Sequence, residues 1–163
     1  MTVYVGFRLL DEIPLVDYPG LPNLIDAEGN VSKDIYIVAW TTTPWTLPAN
    51  LALCINRDAN YVLLHVRKQN KIILVAENSV RKIFPDYNNQ NLDYNILEMI
   101  TGISLVGLEY EPLYQYEATK EHRWRILEDD FVQCYPYEKD KSPGSGVVHL
   151  APGFGEDDYR VCK

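Results

Sequence analysis

The apolar residues of this chain come in short runs with the period of a strand, or with no polar interruption at all, and that leaves little room for a helical fold. "TVYVGFRLL" near the start alternates and is rich in aromatic and β-branched residues. "DIYIVAW" is apolar at nearly every position and stops at the threonines. "YVLLHVR" and "KIILVA" are separated only by "KQN", which reads as a hairpin, and "GSGVVHLA" reads as a short buried strand after a glycine turn. "LEYEPLY" and "FVQCYPY" read as further strands. Helices are expected only at residues 77–84, "ENSVRKIF", and from Phe154 onward, where "GFGEDDYRVC" carries acidic residues suited to a helix N-terminus. Residues 16–34, rich in Pro, Gly and Asn, read as loop. Many short strands with few helices predict a mainly β fold, a closed or nearly closed β-barrel-like core with a few short peripheral helices. A hairpin sandwich is the alternative. At 163 residues the chain is expected to form one domain.

Charge and composition remove several classes of function. The net charge is −8, which argues against a general nucleic-acid binder, because such affinity comes from neutralising phosphates. It leaves open the grip of a short single-stranded end inside a pocket. No run approaches the ~18 apolar residues of a membrane helix, so no membrane partner is expected. The start lacks the basic region and small-residue cleavage site of a signal peptide. The three cysteines, Cys54, Cys134 and Cys162, are scattered and no C-x-x-C occurs, so neither a disulfide framework nor a zinc site is suggested. A reduced intracellular compartment, the cytoplasm, is the expected location.

Two stretches carry chemistry. The first is "WTTTPWTLPAN", residues 40–50. Pro44 and Pro48 stiffen it, and each proline biases the residue before it toward extended geometry. Stiff neutral hydroxyls on Thr41, Thr42, Thr43 and Thr46, beside free backbone N–H groups, can position a water molecule and a developing oxyanion. They cannot act as a general base at neutral pH. The plain alternative is a strand end whose hydroxyls cap backbone groups. The second stretch is "GSGVVHLAPGFGEDDY", residues 144–159. A strand leads to His149, Pro152 and two glycines make a tight turn, and Glu156, Asp157 and Asp158 follow at a helix start. Such carboxylates ordinarily complement the helix dipole, whereas one turned inward would bind an ammonium group. "PGSG" is not the G-x-S-x-G of a nucleophile elbow, and "GFG" with no lysine after it is a poor phosphate loop. His149 is expected to be partly buried, His65 to sit at the surface of a strand and His122 to lie in the charged stretch "KEHRWR". The three histidines lack ligand spacing, so no metal site is expected.

Taken together, the two stretches resemble the editing domain inserted in isoleucyl-tRNA synthetases, whose signature regions are a threonine-rich loop and G-x-G-V-V-H-x-A-P-x-x-G-x-x-D-Y. The resemblance runs from "VYVGFRL" to "DDYRVC" and looks nearest to the eukaryotic cytosolic form, through "NLALCIN" and "EDDYRVC". Related valyl- and leucyl-type domains usually carry an Arg after their threonine pair, where this chain has Thr43-Pro44. The synthetase signatures H-x-G-H and K-M-S-K-S do not occur, so residues 1–163 are expected to be a single editing domain excised from a larger enzyme.

The resemblance implies the editing-domain fold shared by the valyl, isoleucyl and leucyl enzymes. It also implies an aminoacyl-tRNA deacylase that clears valine from the tRNA for isoleucine by hydrolysing the ester. Catalytic roles would fall to Thr41, Thr42, Thr43 and Asp158, with Asp158 on the α-ammonium. Trp40, Thr46, His149, Gly146, Ala151 and Pro152 would bind substrate, His149 shaping the side-chain pocket. The expected partners are the 3′ end of tRNA(Ile) with its misattached amino acid and the remainder of the synthetase, the domain itself being monomeric. No cofactor is expected here, while the parent enzyme would use ATP and Mg. The alternatives are the same fold acting on another ester, such as threonine on a valine tRNA, or a non-catalytic module that docks a tRNA 3′ end.

Overall fold

The continuous apolar run becomes the strand from which the fold is organised. β1 (Val3–Arg8) and β2 (Ile35–Thr41) pair antiparallel in register, Val3 opposite Thr41. β2 is also flanked by a parallel neighbour, β5 (Lys71–Ala76). A strand paired on both edges sits inside the sheet, and five of the seven β2 residues are buried. The structure, a computed structural model, describes residues 2–11, 13, 34–84, 94–114, 124–134 and 144–163. Most of the loop expected at 16–34, and His122, lie outside the described residues.

The chain is mainly β, as expected. The expected hairpin is β4 (Asn60–Val66) and β5, joined by a turn in which Asn70 takes the left-handed conformation at φ 48°, a conformation Asn tolerates better than most residues. β4 pairs on its other edge with β6 (Tyr94–Thr101), which completes a five-stranded mixed sheet in the order β1-β2-β5-β4-β6. A second sheet of three strands has β3 (Ala52–Ile55) at its centre, parallel to β7 (Arg125–Glu128) and antiparallel to β8 (Val147–Leu150). Single bridges from Leu9 to Tyr110 and from Glu109 to Arg125 stitch the end of β1 toward β7. On the other side β8 lies against β2, so the two sheets curl around one core. Phe7, Ile37, Leu53, Ile55, Leu63 and Leu74 fill it, all fully buried. Truncating one of the leucines to alanine would cost about 2–5 kcal/mol. The buried Tyr61 hydroxyl donates to Gly146 O at 2.7 Å and accepts from Asn56 N–H at 3.1 Å, so this polar group in the interior has partners.

The short helices are peripheral. A 3₁₀ turn at Glu77–Ser79 runs into α1 (Val80–Ile83), which together match the helix expected at 77–84. α2 (Glu156–Val161) begins two residues later than Phe154. Two expected strands are corrected. "LEYEPLY" supplies only the single bridges at Glu109 and Tyr110, because Pro112 has no N–H to extend a ladder. In "FVQCYPY", residues 131–134 follow a turn and form no strand, while 135–137 lie outside the described residues. The strands β3, β6 and β7 were not expected from the sequence.

Candidate functional site

Both signature stretches end at the same place because two strands deliver them there. Trp40 and Thr41 close β2, and Val148 and His149 lie toward the end of β8. Leu51 N–H donates to Leu150 O at 2.9 Å and so holds the residues after the threonine loop to the end of β8. Between them is an open pocket of about 340 Å³ lined by Trp40, Thr41, Thr42, Thr43, Thr46 and His149, with Asp158 contributed by α2.

The threonine loop is a single 3₁₀ element, Pro44–Ala49, with proline at its first position, where a missing N–H costs nothing. Thr41 and Thr46 are buried, while Thr42 and Thr43 are exposed. The buried pair does structural work. Thr41 Oγ1 accepts Thr43 N–H at 3.0 Å, and Thr46 Oγ1 donates to Thr43 O at 2.8 Å. The Thr43 hydroxyl stands 3.4 Å from Thr41 Oγ1 and 3.5 Å from Thr46 Oγ1, longer than the ~2.5–3.0 Å of a good O–H···O bond. It therefore retains bonding capacity for a guest. Thr41 and Thr46 thus cap backbone groups of Thr43 while also lining the pocket.

His149 meets the loop directly. It is 6% exposed, and its Nε2 lies 2.8 Å from Thr46 Oγ1. Since the Thr46 proton goes to Thr43 O, Nε2 must carry the proton in this bond. Burial pushes the imidazole below its ordinary value, against a smaller opposing pull from the Asp158 charge. A neutral Nε2–H tautomer leaves a lone pair on Nδ1, which has no hydrogen-bond partner among the described residues. The chain His149 to Thr46 to Thr43 thereby couples one signature stretch to the other.

Asp158 lies in the first turn of α2 and is only partly exposed. Its Oδ2 accepts the Ala151 N–H at 2.8 Å, latching the helix onto the end of β8, and its other oxygen packs near the Gly155 backbone. Glu156 and Asp157 are exposed, and Asp157 pairs with Arg160 at 3.5 Å, as a solvated helix start would.

Three of the residues expected to bind substrate are not in the lining. Gly146 stands at φ 72°, packed on Ala76 and Cys134, where a side chain would clash. Ala151 serves through its N–H to Asp158, and Pro152 shapes the turn. Sequence reading missed four lining residues: Trp45, Val148, Phe154 and Gly155. Trp45 and Phe154 are 70% and 64% exposed, large aromatics left facing solvent at the pocket. Their presence inside the two signature stretches was the available signal. Ser145 is fully buried, donates to Val147 O at 3.2 Å and lies outside the pocket lining. Among the described residues, no three His, Cys, Asp or Glu side chains are grouped to hold a metal ion.

No family profile matches the chain. It is 41% identical to the cytoplasmic isoleucine–tRNA ligase of Saccharomyces cerevisiae, with 98% of this chain and 16% of that protein aligned. It is 44% identical to the isoleucine–tRNA ligase of Tetrahymena thermophila, with 98% and 14% aligned. The chain thus spans about a sixth of the relatives it matches. Among solved structures, the editing domain of the cytosolic leucyl-tRNA synthetase of Plasmodium falciparum superposes with a TM-score of 0.65 at 17% identity, covering 97% of this chain and 63% of that one. At that identity the likeness speaks for the fold.

Proposed function

The chain belongs to the isoleucine–tRNA ligase family and has the editing-domain fold, and from that premise we propose that its pocket hydrolyses the ester of valine misattached to the tRNA for isoleucine while refusing isoleucine. The observation that carries this is the convergence of the Thr43 hydroxyl, the neutral His149 ring and the Asp158 carboxylate on one pocket. A synthetic site discriminates two side chains differing by one methylene by only about 1–3 kcal/mol, a limit for which isoleucyl-tRNA synthetase is itself the standard illustration. A second site that admits only the smaller group supplies the missing accuracy.

In this reading the terminal adenosine enters past Trp45 and Phe154, whose exposed faces are suited to stacking. Asp158 takes the α-ammonium of the amino acid. The Thr43 hydroxyl and neighbouring backbone N–H groups hold the attacking water and the oxyanion that develops on the ester carbonyl. Water adds to the carbonyl carbon, the bond to the ribose oxygen breaks, that oxygen takes a proton, and free valine and tRNA leave. An aminoacyl ester is already activated, so positioning and electrostatics suffice, with no metal or other cofactor. His149 bounds the side-chain end as a rigid wall, since overlap with a packed ring is costly. The domain works in the cytoplasm as part of a larger ligase.

The test is hydrolysis of valyl- and isoleucyl-tRNA(Ile) by the chain. Valyl ester should be cleared and isoleucyl ester spared. Equal rates on both, or none on either, would reject the proposal.

A further inference from the structure

β2 and β5 are parallel, so their C-terminal ends lie at the same edge of the sheet. The pocket opens at the end of β2, and the chain leaving β5 turns directly into the 3₁₀ turn and α1. This topology brings the basic last turn of α1, Arg81 and Lys82, to the flank of the pocket. Both residues are exposed. The Lys82 ammonium stands 5.6 Å over the indole of Trp40, and Trp40 lines the pocket. Gly144, at φ 67°, packs so closely on the same ring that a Cβ there would fall 2.7 Å from it, which fixes the indole under the ammonium. The pocket is therefore polarised, with a cation beside the Trp40 wall and the Asp158 carboxylate on the α2 side.

We propose that Lys82 binds the phosphodiester leading into the terminal adenosine of the RNA, so that the pocket reads its substrate as a dipole, phosphate toward α1 and ammonium toward α2. This rests on the reading of the pocket as an aminoacyl-ester site. A phosphate lying against Trp40 would be well inside the ~10 Å screening length at 0.1 M salt, so its attraction to the ammonium survives in ordinary buffer. Polarity of this kind orients the ester without enlarging the contact area.

The experiment compares two valyl esters, one on adenosine alone and one on a short single-stranded RNA ending in CCA, which adds the phosphodiesters. The quantity read is the ratio of their kcat/KM values. Lys82→Gln should lower the ratio of oligonucleotide to nucleoside by about three- to tenfold, and its log–log salt slope on the oligonucleotide should weaken by about 0.7. Lys82→Arg should restore both. If Lys82 only props Trp40, both esters suffer alike and the ratio stays put, which overturns the inference while leaving the hydrolysis reading intact. Should the wild-type chain hydrolyse neither ester, the hydrolysis reading falls, and binding of the unesterified oligonucleotide by fluorescence anisotropy decides the inference. Lys82-dependent, salt-sensitive binding keeps it, and binding that is absent or indifferent to Lys82 ends it.

Discussion

Asp158 performs two tasks that a single alanine substitution would confound. Its Oδ2 accepts the Ala151 N–H at 2.8 Å, and the residue lines the pocket. Asp158→Ala orphans a backbone donor on a buried residue, a loss of about 1–3 kcal/mol. For a domain of this size that lowers Tm by about 2–12 °C, so the alanine variant loses stability as well as any ammonium contact. Asp158→Asn separates the tasks, because its amide oxygen can still accept from Ala151 while the negative charge is gone. A hydrogen bond to a charged group contributes about 1.5–3 kcal/mol, which corresponds to about 10–150-fold in kcat/KM if it forms with the ammonium of the substrate. The assay uses two esters of the same RNA, one of valine and one of α-hydroxyisovaleric acid, which has a hydroxyl in place of the ammonium. Asn should slow the valyl ester by that factor and leave the hydroxy-acid ester at its wild-type rate, with Tm close to wild type. An equal slowing of both esters, or full activity on valyl ester, would refute the ammonium role and reduce Asp158 to a latch between α2 and β8.

His149→Ala should keep valine removal and begin to release correctly attached isoleucine, and an unchanged ratio of the two deacylation rates in folded protein would remove this ring as the size filter. Because burial holds the His149 pKa below its ordinary 6.5, the folded state resists protonation. Wild type should then be fully stabilised above about pH 6.5 and should lose stability as pH falls through that value toward the depressed folded pKa; thermal melts of wild type and His149→Leu that run parallel from pH 8 to 5 would contradict this. Gly144→Ala would drive a methyl into Trp40 at a left-handed backbone position, costing about 1–3 kcal/mol with loss of tryptophan order visible by fluorescence, and a neutral Tm would show that the indole is not fixed there. Hydrolysis should withstand a chelator, and activity lost to chelation and restored by zinc would sink the metal-free mechanism.

Local patterning was enough to identify a mainly β chain, the β4–β5 hairpin and both short helices, because strand periodicity, a turn residue such as Asn70 and acidic residues before α2 act over a few neighbours. It failed at β3, β6 and β7, which are short or carry polar residues and owe their strand state to partners elsewhere in the chain. Tyr94–Thr101, for example, is held by pairing with Asn60–Val66. The two signature stretches were legible as chemistry, since hydroxyls between prolines and carboxylates after a glycine turn are unusual local patterns. Their division of labour was not. Thr41 and Thr46 are consumed by the backbone of Thr43, and that is decided by a turn only the folded loop possesses. The proton on His149 Nε2 is set by Thr46, 103 residues away in sequence. Gly146, expected to bind substrate, packs on Ala76 and Cys134 outside the pocket lining, whereas Trp45 and Phe154, which carried no expected role, stand exposed at the pocket. Residue type and spacing therefore determined which groups this protein could bring to a reaction. Strand pairing over long separations decided which of them meet, because hydrogen bonds and burial depend on distance in space, and a sequence contains that distance only once it has folded.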